Sequence, residues 1–177
     1  MRVCKDPQCF AVPPPPFVQC IEHCKKVIIF GVPGAFTPTC SEKHLPGFIQ
    51  LFDKIKSKGI DDIFCLSVND AFVMKSWLLS YTNGEKIKGI ADGNAEFSKS
   101  LNLLIDKSSS FMGSRCKRFA FIIENAIIKF MSFSTENNGK SLNRAHGITE
   151  QQIEHIRPIF LCIMQFFDND FREMYYN

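Results

Sequence analysis

Val27-Ile28-Ile29-Phe30-Gly31-Val32 contains no polar position, the pattern of a strand buried on both faces, and Pro33-Gly34 ends it. Beyond that turn the period changes. Leu45, Phe48, Phe52 and Ile55 recur at spacings of three and four, which predicts one apolar helical face terminated at Lys58-Gly59. Ile63 to Val68 is again strand-like, and Asn69-Asp70 forms a capping pair for a helix through Trp77 and Leu78. Ile87 to Ala91 predicts a short strand, Asp92-Gly93-Asn94 a turn into a helix near Ala95 to Leu101, and Lys117 to Ile123 with Ile127 to Phe133 a hairpin around Glu124-Asn125. A capping box, Thr149 to Gln152, opens a last helix that Pro158 breaks or kinks. The order predicts an α/β fold with a mixed central sheet flanked by helices.

Composition narrows the class without changing that picture. In 177 residues, 45% apolar and 22% charged, there is material for one compact domain. Its expected bounds are residues 17–157, after an unanchored tail, 1–16, that ends in the stiff tract Pro13 to Pro16, and before a C-terminal tail, 158–177, of unassigned role. A net charge of +3 with no run of like charges leaves no footprint for nucleic acid. The longest apolar stretch, Ile159 to Phe167, is too short to cross a membrane. Met1 to Gln8 carry neither an apolar core nor a small-residue cleavage site, so a reducing compartment is expected, cytoplasmic by default, with mitochondrion or plastid as alternatives. The eight cysteines, at 4, 9, 20, 24, 40, 65, 116 and 162, then read mostly as free thiols. Cys20-x-x-His23-Cys24, with Cys4 and Cys9, fits no structural zinc spacing, and no metal is expected.

Chemistry concentrates in Pro33-Gly34-Ala35-Phe36-Thr37-Pro38-Thr39-Cys40-Ser41, between the buried strand and the amphipathic helix. With Thr37 as N-cap and Pro38 at the first helical position, Cys40 falls in the first turn, where unpaired N–H groups and the helix dipole favour thiolate over thiol. An anionic sulfur there is a nucleophile. Attack on a peroxide also needs the O–O bond held in line and the departing oxygen's charge stabilised, tasks for a hydroxyl such as that of Thr37 and for a cation. Arg115, Lys117 and Arg118, just before the strand Phe119 to Ile123, are the candidates for the cation. The reading requires a sulfur that solvent reaches and an arginine beside it. His44, four residues after Cys40, invites a Cys/His hydrolase reading, but nothing nearby orients such a pair.

Pro33-x-x-x-Thr37-x-x-Cys40 resembles the active-site motif of peroxiredoxins. The flanking residues Phe30 to Ser41, His44 to Phe48, Cys65 to Phe72, Ala91-Asp92-Gly93 and Lys117-Arg118-Phe119 resemble the type II, peroxiredoxin V-like branch. The resemblance covers roughly Phe17 to Phe133 and implies a thioredoxin-like fold. It implies Cys40 as peroxidatic cysteine, Thr37 and Arg118 completing its pocket, Pro33 shielding it, and a sulfenic acid as product. It implies a thiol-dependent peroxidase without cofactor, acting on hydrogen peroxide, alkyl hydroperoxides or peroxynitrite in antioxidant defence, and a homodimer. Plant-like members carry a cysteine at the position of Cys65 to which the resolving role is assigned. Cys65 lies inside a strand read as buried, so a one-cysteine cycle with glutathione or glutaredoxin, or else thioredoxin, as reductant is favoured. Arg115 is the second candidate cation. Rival readings are a peroxide sensor or redox relay with little turnover, and an inactive relative lacking the usual N-terminal hairpin.

Overall fold

The computed structural model describes residues 2–3, 26–125, 127–134 and 141–144. β1 (Arg2–Val3), β2 (Lys26–Gly31), β3 (Asp62–Ser67), β4 (Lys88–Ala91), β7 (Phe119–Glu124), β8 (Ile127–Ser134) and β9 (Ser141–Arg144) form one sheet in the order β1-β4-β3-β2-β7-β8-β9. β2, β3 and β4 run parallel, while β7, β8, β9 and β1 join antiparallel. A separate ribbon pairs β5 (Leu104–Asp106) with β6 (Ser114–Cys116). The helices are α1 (Leu45–Lys56), entered through a π-helical turn at Cys40–His44, α2 (Ala71–Leu79) and α3 (Glu96–Ser100).

The unbroken apolar runs are explained by two-sided burial. Ile28 and Phe30, with Ile63, Cys65 and Ile122, face a core that includes Leu45 and Phe48 of α1 and Met74 and Trp77 of α2. Val27 and Ile29, with Phe64, Leu66, Phe119 and Phe121, face a second core holding Leu103 and Cys116, against which Phe97 of α3 packs. Adjacent side chains along a strand point to opposite faces, so a strand covered on both sides is apolar except where a small hydroxyl finds a partner, as Ser67 does on Asn69. Phe30 and Phe48 stack with ring centroids 3.8 Å apart, fixing α1 on the sheet. Gly59, at φ +82°, takes the left-handed conformation that closes the end of that helix.

The mixed sheet, its flanking helices and the hairpin about Glu124-Asn125 match the sequence expectation. The N-terminal tail differs at its first residues: Arg2 and Val3 pair with Ala91 and Ile90 on the β4 edge, so this end is anchored by main-chain bonds. The tract Pro13 to Pro16, Cys4, Cys9, Cys20, His23, Cys24, the capping box Thr149 to Gln152, Pro158 and Cys162 lie outside the described residues. No helix among the described residues is long and apolar enough to cross a membrane.

Candidate active site

The site forms where parallel strands β2 and β3 end and antiparallel β7 begins. Register brings its parts together. Gly31, last in β2, pairs with Phe119, first in β7, so Arg118 emerges beside the loop that carries Pro33, Thr37 and Cys40. The approach is close: a Cβ on Gly31 would lie 2.0 Å from Cε1 of Phe119, and only glycine leaves room for that ring.

The loop is held by side chains on the neighbouring turn. Asn69 Oδ1 accepts the Ala35 N–H at 3.0 Å and the Ser67 hydroxyl at 2.7 Å. Asp70 caps α2, its carboxylate accepting the N–H groups of Phe72 and Val73. The expected capping pair thus divides its labour, with Asn69 acting as a cross-link. Thr37 opens the next helix, its carbonyl accepting the Ser41 N–H at 2.9 Å. Its hydroxyl donates to the Gly34 carbonyl at 2.8 Å, which leaves the oxygen as an acceptor.

The helix then widens. Leu45 N–H reaches back to the Cys40 carbonyl, five residues away, and the cause is Pro46, which lacks an N–H and whose ring would strike the carbonyl four residues earlier. In this wide turn the Ser41 carbonyl would look to residue 46 for a donor, and proline has none. The Tyr81 hydroxyl supplies it at 2.8 Å, while the Trp77 indole donates to the Ser41 hydroxyl at 3.0 Å.

Arg118 Nη1 lies 3.4 Å from Cys40 Sγ and 2.6 Å from His44 Nδ1. The arginine requirement of the sequence reading is therefore met by Arg118. The requirement of an open sulfur is not: Cys40 is 0% exposed, packed in the same core as Leu45 and Phe48. A cleft of about 300 Å³ is lined by Pro33, Thr37, Pro38, Thr39, Ile105, Lys107, Ser110, Met112, Lys117 and Arg118, residues that include neighbours of Cys40 but not Cys40 itself. Core side chains on one side and the Arg118 guanidinium on the other close over the sulfur. Arg115 also departs from expectation as the second pocket cation. Its guanidinium donates to the carbonyls of Met112 and Val68, at 2.8 and 2.9 Å, bracing the loop. Lys107 and Lys117 line the cleft in its place.

Cys65, paired across from Phe30, is fully buried and free, as are Cys40 and Cys116. Burial, and then the neighbouring Cys116 and Cys40 sulfurs, push the Cys65 thiol well above its ordinary range. Burial likewise pushes Cys116 up to about 12, and its thiol donates to the Val32 carbonyl at 2.8 Å. No cluster of residues suited to a metal occurs among the described residues. Sequence reasoning passed over the contact of His44 with Arg118, the Asn69 cross-link and the anchoring of Ser41. Pro46 inside a helical pattern was the available signal for the wide turn.

The chain matches the Redoxin family over residues 22–147. It is 49% identical over 116 residues to Peroxiredoxin-2D of Arabidopsis thaliana, an alignment spanning 66% of this chain and 70% of the relative. Among solved structures it is similar to reduced Prx3 of Vibrio vulnificus in complex with hydrogen peroxide, at 44% identity and a TM-score of 0.61, covering 73% of this chain and 77% of that one. The antioxidant protein (1-Cys peroxiredoxin) of Plasmodium falciparum matches at 38% identity and a TM-score of 0.62, covering 77% and 78%. With its mixed sheet and flanking helices in the thioredoxin-like arrangement, this chain belongs to the redoxin family and, within it, to the type II, peroxiredoxin V-like peroxiredoxins, which are thiol peroxidases.

Proposed function

We propose that Cys40 is the peroxidatic residue, and the single observation supporting this most strongly is the 3.4 Å approach of the Arg118 guanidinium to its sulfur. A thiolate at that point gains a charge-assisted hydrogen bond. The peroxide enters from the cleft as the Pro33 side of its wall gives way, Arg118 keeping its place on the sulfur, and Thr37 Oγ1, its proton committed to Gly34, accepts the peroxide O–H and aligns the O–O bond. The sulfur attacks the terminal oxygen: an S–O bond forms, the O–O bond breaks, and sulfur is oxidised by two electrons. The departing alkoxide or hydroxide, stabilised by the guanidinium, takes up from solvent the proton that the thiol gave up on ionising and leaves as alcohol or water, and peroxynitrous acid releases nitrite in the same way. One reductant thiol then displaces water from the sulfenic acid to give a mixed disulfide, and a second releases Cys40 as thiol with a disulfide of the reductant.

Hydrogen peroxide, alkyl hydroperoxides and peroxynitrite are the substrates of this reading. Its reductant is glutathione or glutaredoxin, or else thioredoxin. The one-cysteine cycle is supported by the full burial of Cys65, which pushes its thiol upward, and by the description of the Plasmodium falciparum relative as a 1-Cys peroxiredoxin. A homodimer is part of the same reading, Phe36 and Phe111 being exposed on the loops around the cleft. A second reading is a sensor or relay, in which the enclosure of Cys40 slows turnover by small reductants until a partner opens the site and takes up the oxidation. Mass spectrometry after one equivalent of peroxide is expected to find the sulfenic acid on Cys40, and Cys40→Ser is expected to abolish peroxide consumption. Sulfenylation elsewhere, or full activity in the variant, refutes the assignment. Slow turnover with every small reductant, together with a trapped disulfide to another protein, selects the relay.

A further inference from the structure

We infer that His44 is a positioning residue for the peroxidase reaction, holding the Arg118 guanidinium against Cys40 through an imidazole fixed with Nδ1 unprotonated. This deepens the proposed function and rests on it. The bond joins two groups far apart in the chain, and both partners are constrained. A guanidinium has only donors and stays charged, so at 2.6 Å the Nδ1 of His44 can only accept. A neutral imidazole must therefore carry its proton on Nε2. Nη1 has two hydrogens and two acceptors within reach, the Cys40 sulfur and the His44 nitrogen, which together set the plane in which the guanidinium lies. His44 is 2% exposed, so water does not compete for that bond. The wide turn entered at Cys40 brings His44 to the buried side together with the sulfur.

Without this acceptor the arginine would keep one anchor where it has two. Its distance from the reacting sulfur and the departing oxygen would then spread, and a displacement of about 1 Å in a catalytic group costs on the order of a hundredfold in rate. His44 touches neither peroxide nor the reacting atoms in this scheme. Its effect passes through Arg118.

The experiment is a double-mutant cycle on single-turnover oxidation of Cys40 by hydrogen peroxide, with thermal unfolding recorded for each variant. His44→Leu is expected to slow oxidation about a hundredfold, while His44→Asn, whose Oδ1 accepts where Nδ1 did, keeps most of the rate. Adding His44→Leu to Arg118→Ala is expected to cost nothing further. Equal losses in His44→Leu and His44→Asn, or a further loss on top of Arg118→Ala, overturn the inference and leave the proposed function standing. Full activity in Arg118→Ala overturns both. Nitrogen-15 spectra of the unaltered reduced protein give an answer independent of any variant's folding: Nδ1 of His44 is expected without a proton, and a protonated Nδ1 refutes the assignment.

Discussion

Replacing Gly31 by alanine is expected to damage the sheet and the reaction together, although Gly31 touches no reactant. A Cβ at this position meets Phe119 Cε1 at 2.0 Å and Cδ1 at 2.4 Å, whereas contacting carbons rest about 3.5–4.0 Å apart. The ring, or the strand that bears it, must retreat by roughly 1.5 Å to restore that separation. Phe119 is fully buried and stacked on Phe121 at 4.5 Å, so the retreat has to be absorbed by core neighbours. Overpacking of a core costs about 1–3 kcal/mol, and so short an approach belongs at the upper end. At about 2–4 °C per kcal/mol for a chain of this size, Tm falls by about 6–12 °C. Arg118 immediately precedes Phe119, so a shift of about 1 Å carried into the guanidinium lowers the rate of Cys40 oxidation by on the order of a hundredfold. Calorimetry and stopped-flow peroxide kinetics on the same preparations measure both effects, and Phe119→Leu in the variant background is expected to recover part of each. A variant that melts with the unaltered chain and reacts at its rate would show that Phe119 does not depend on the missing Cβ.

Three further outcomes are expected. Cys65→Ser should retain most glutathione-dependent turnover; if it is as inactive as Cys40→Ser, the one-cysteine cycle is wrong. Cys116 holds its proton up to about 12 in the folded chain against an ordinary value of 9.0. Between those values the unfolded chain has lost a proton that the folded chain keeps, so stability falls as pH rises through that window. Denaturant titrations at several alkaline pH values should show a shallower fall in Cys116→Ala, and an unchanged slope contradicts the assignment. Asn69→Ala deprives the Ala35 N–H and the Ser67 hydroxyl of their acceptor at a cost of about 2 kcal/mol, and slower Cys40 oxidation should accompany the loss. Undiminished stability would mean that the loop is held by other contacts.

What the chain reveals in one dimension depends on the range of the interaction. The strands around Ile28, Phe64 and Phe121 were legible because two-sided burial removes nearly every polar position from a run. Thr37, Pro38 and Cys40 were legible because helix starts are written within a few residues. The residues alone narrowed the cation to the basic residues before Phe119 and the resemblance chose Arg118; the pairing of Gly31 with Phe119 gives the physical reason, bringing Arg118 to the sulfur while Arg115 turns to backbone carbonyls. His44 was visible as a neighbour of Cys40, but its acceptor role depends on a residue 74 positions away. Asn69 and Asp70 looked alike as caps. The space beside Ala35, which no local rule describes, drew Asn69 elsewhere. The enclosure of Cys40 depends on core residues distant in the chain, such as Phe30, Ile63 and Ile122, which no rule for a helix start describes.

The widened turn divides this helix into two lengths with separate supports. Beyond Leu45 the winding maintains itself through its own ladder. Before it, Ser41 depends on Trp77 of α2 and on Tyr81 just past that helix's end. Loosening those two aromatic struts would free the segment bearing the sulfur while leaving the rest wound. Two contacts on Ser41 thereby brace the segment that bears the enclosed thiol from a part of the chain that takes no share in the proposed chemistry.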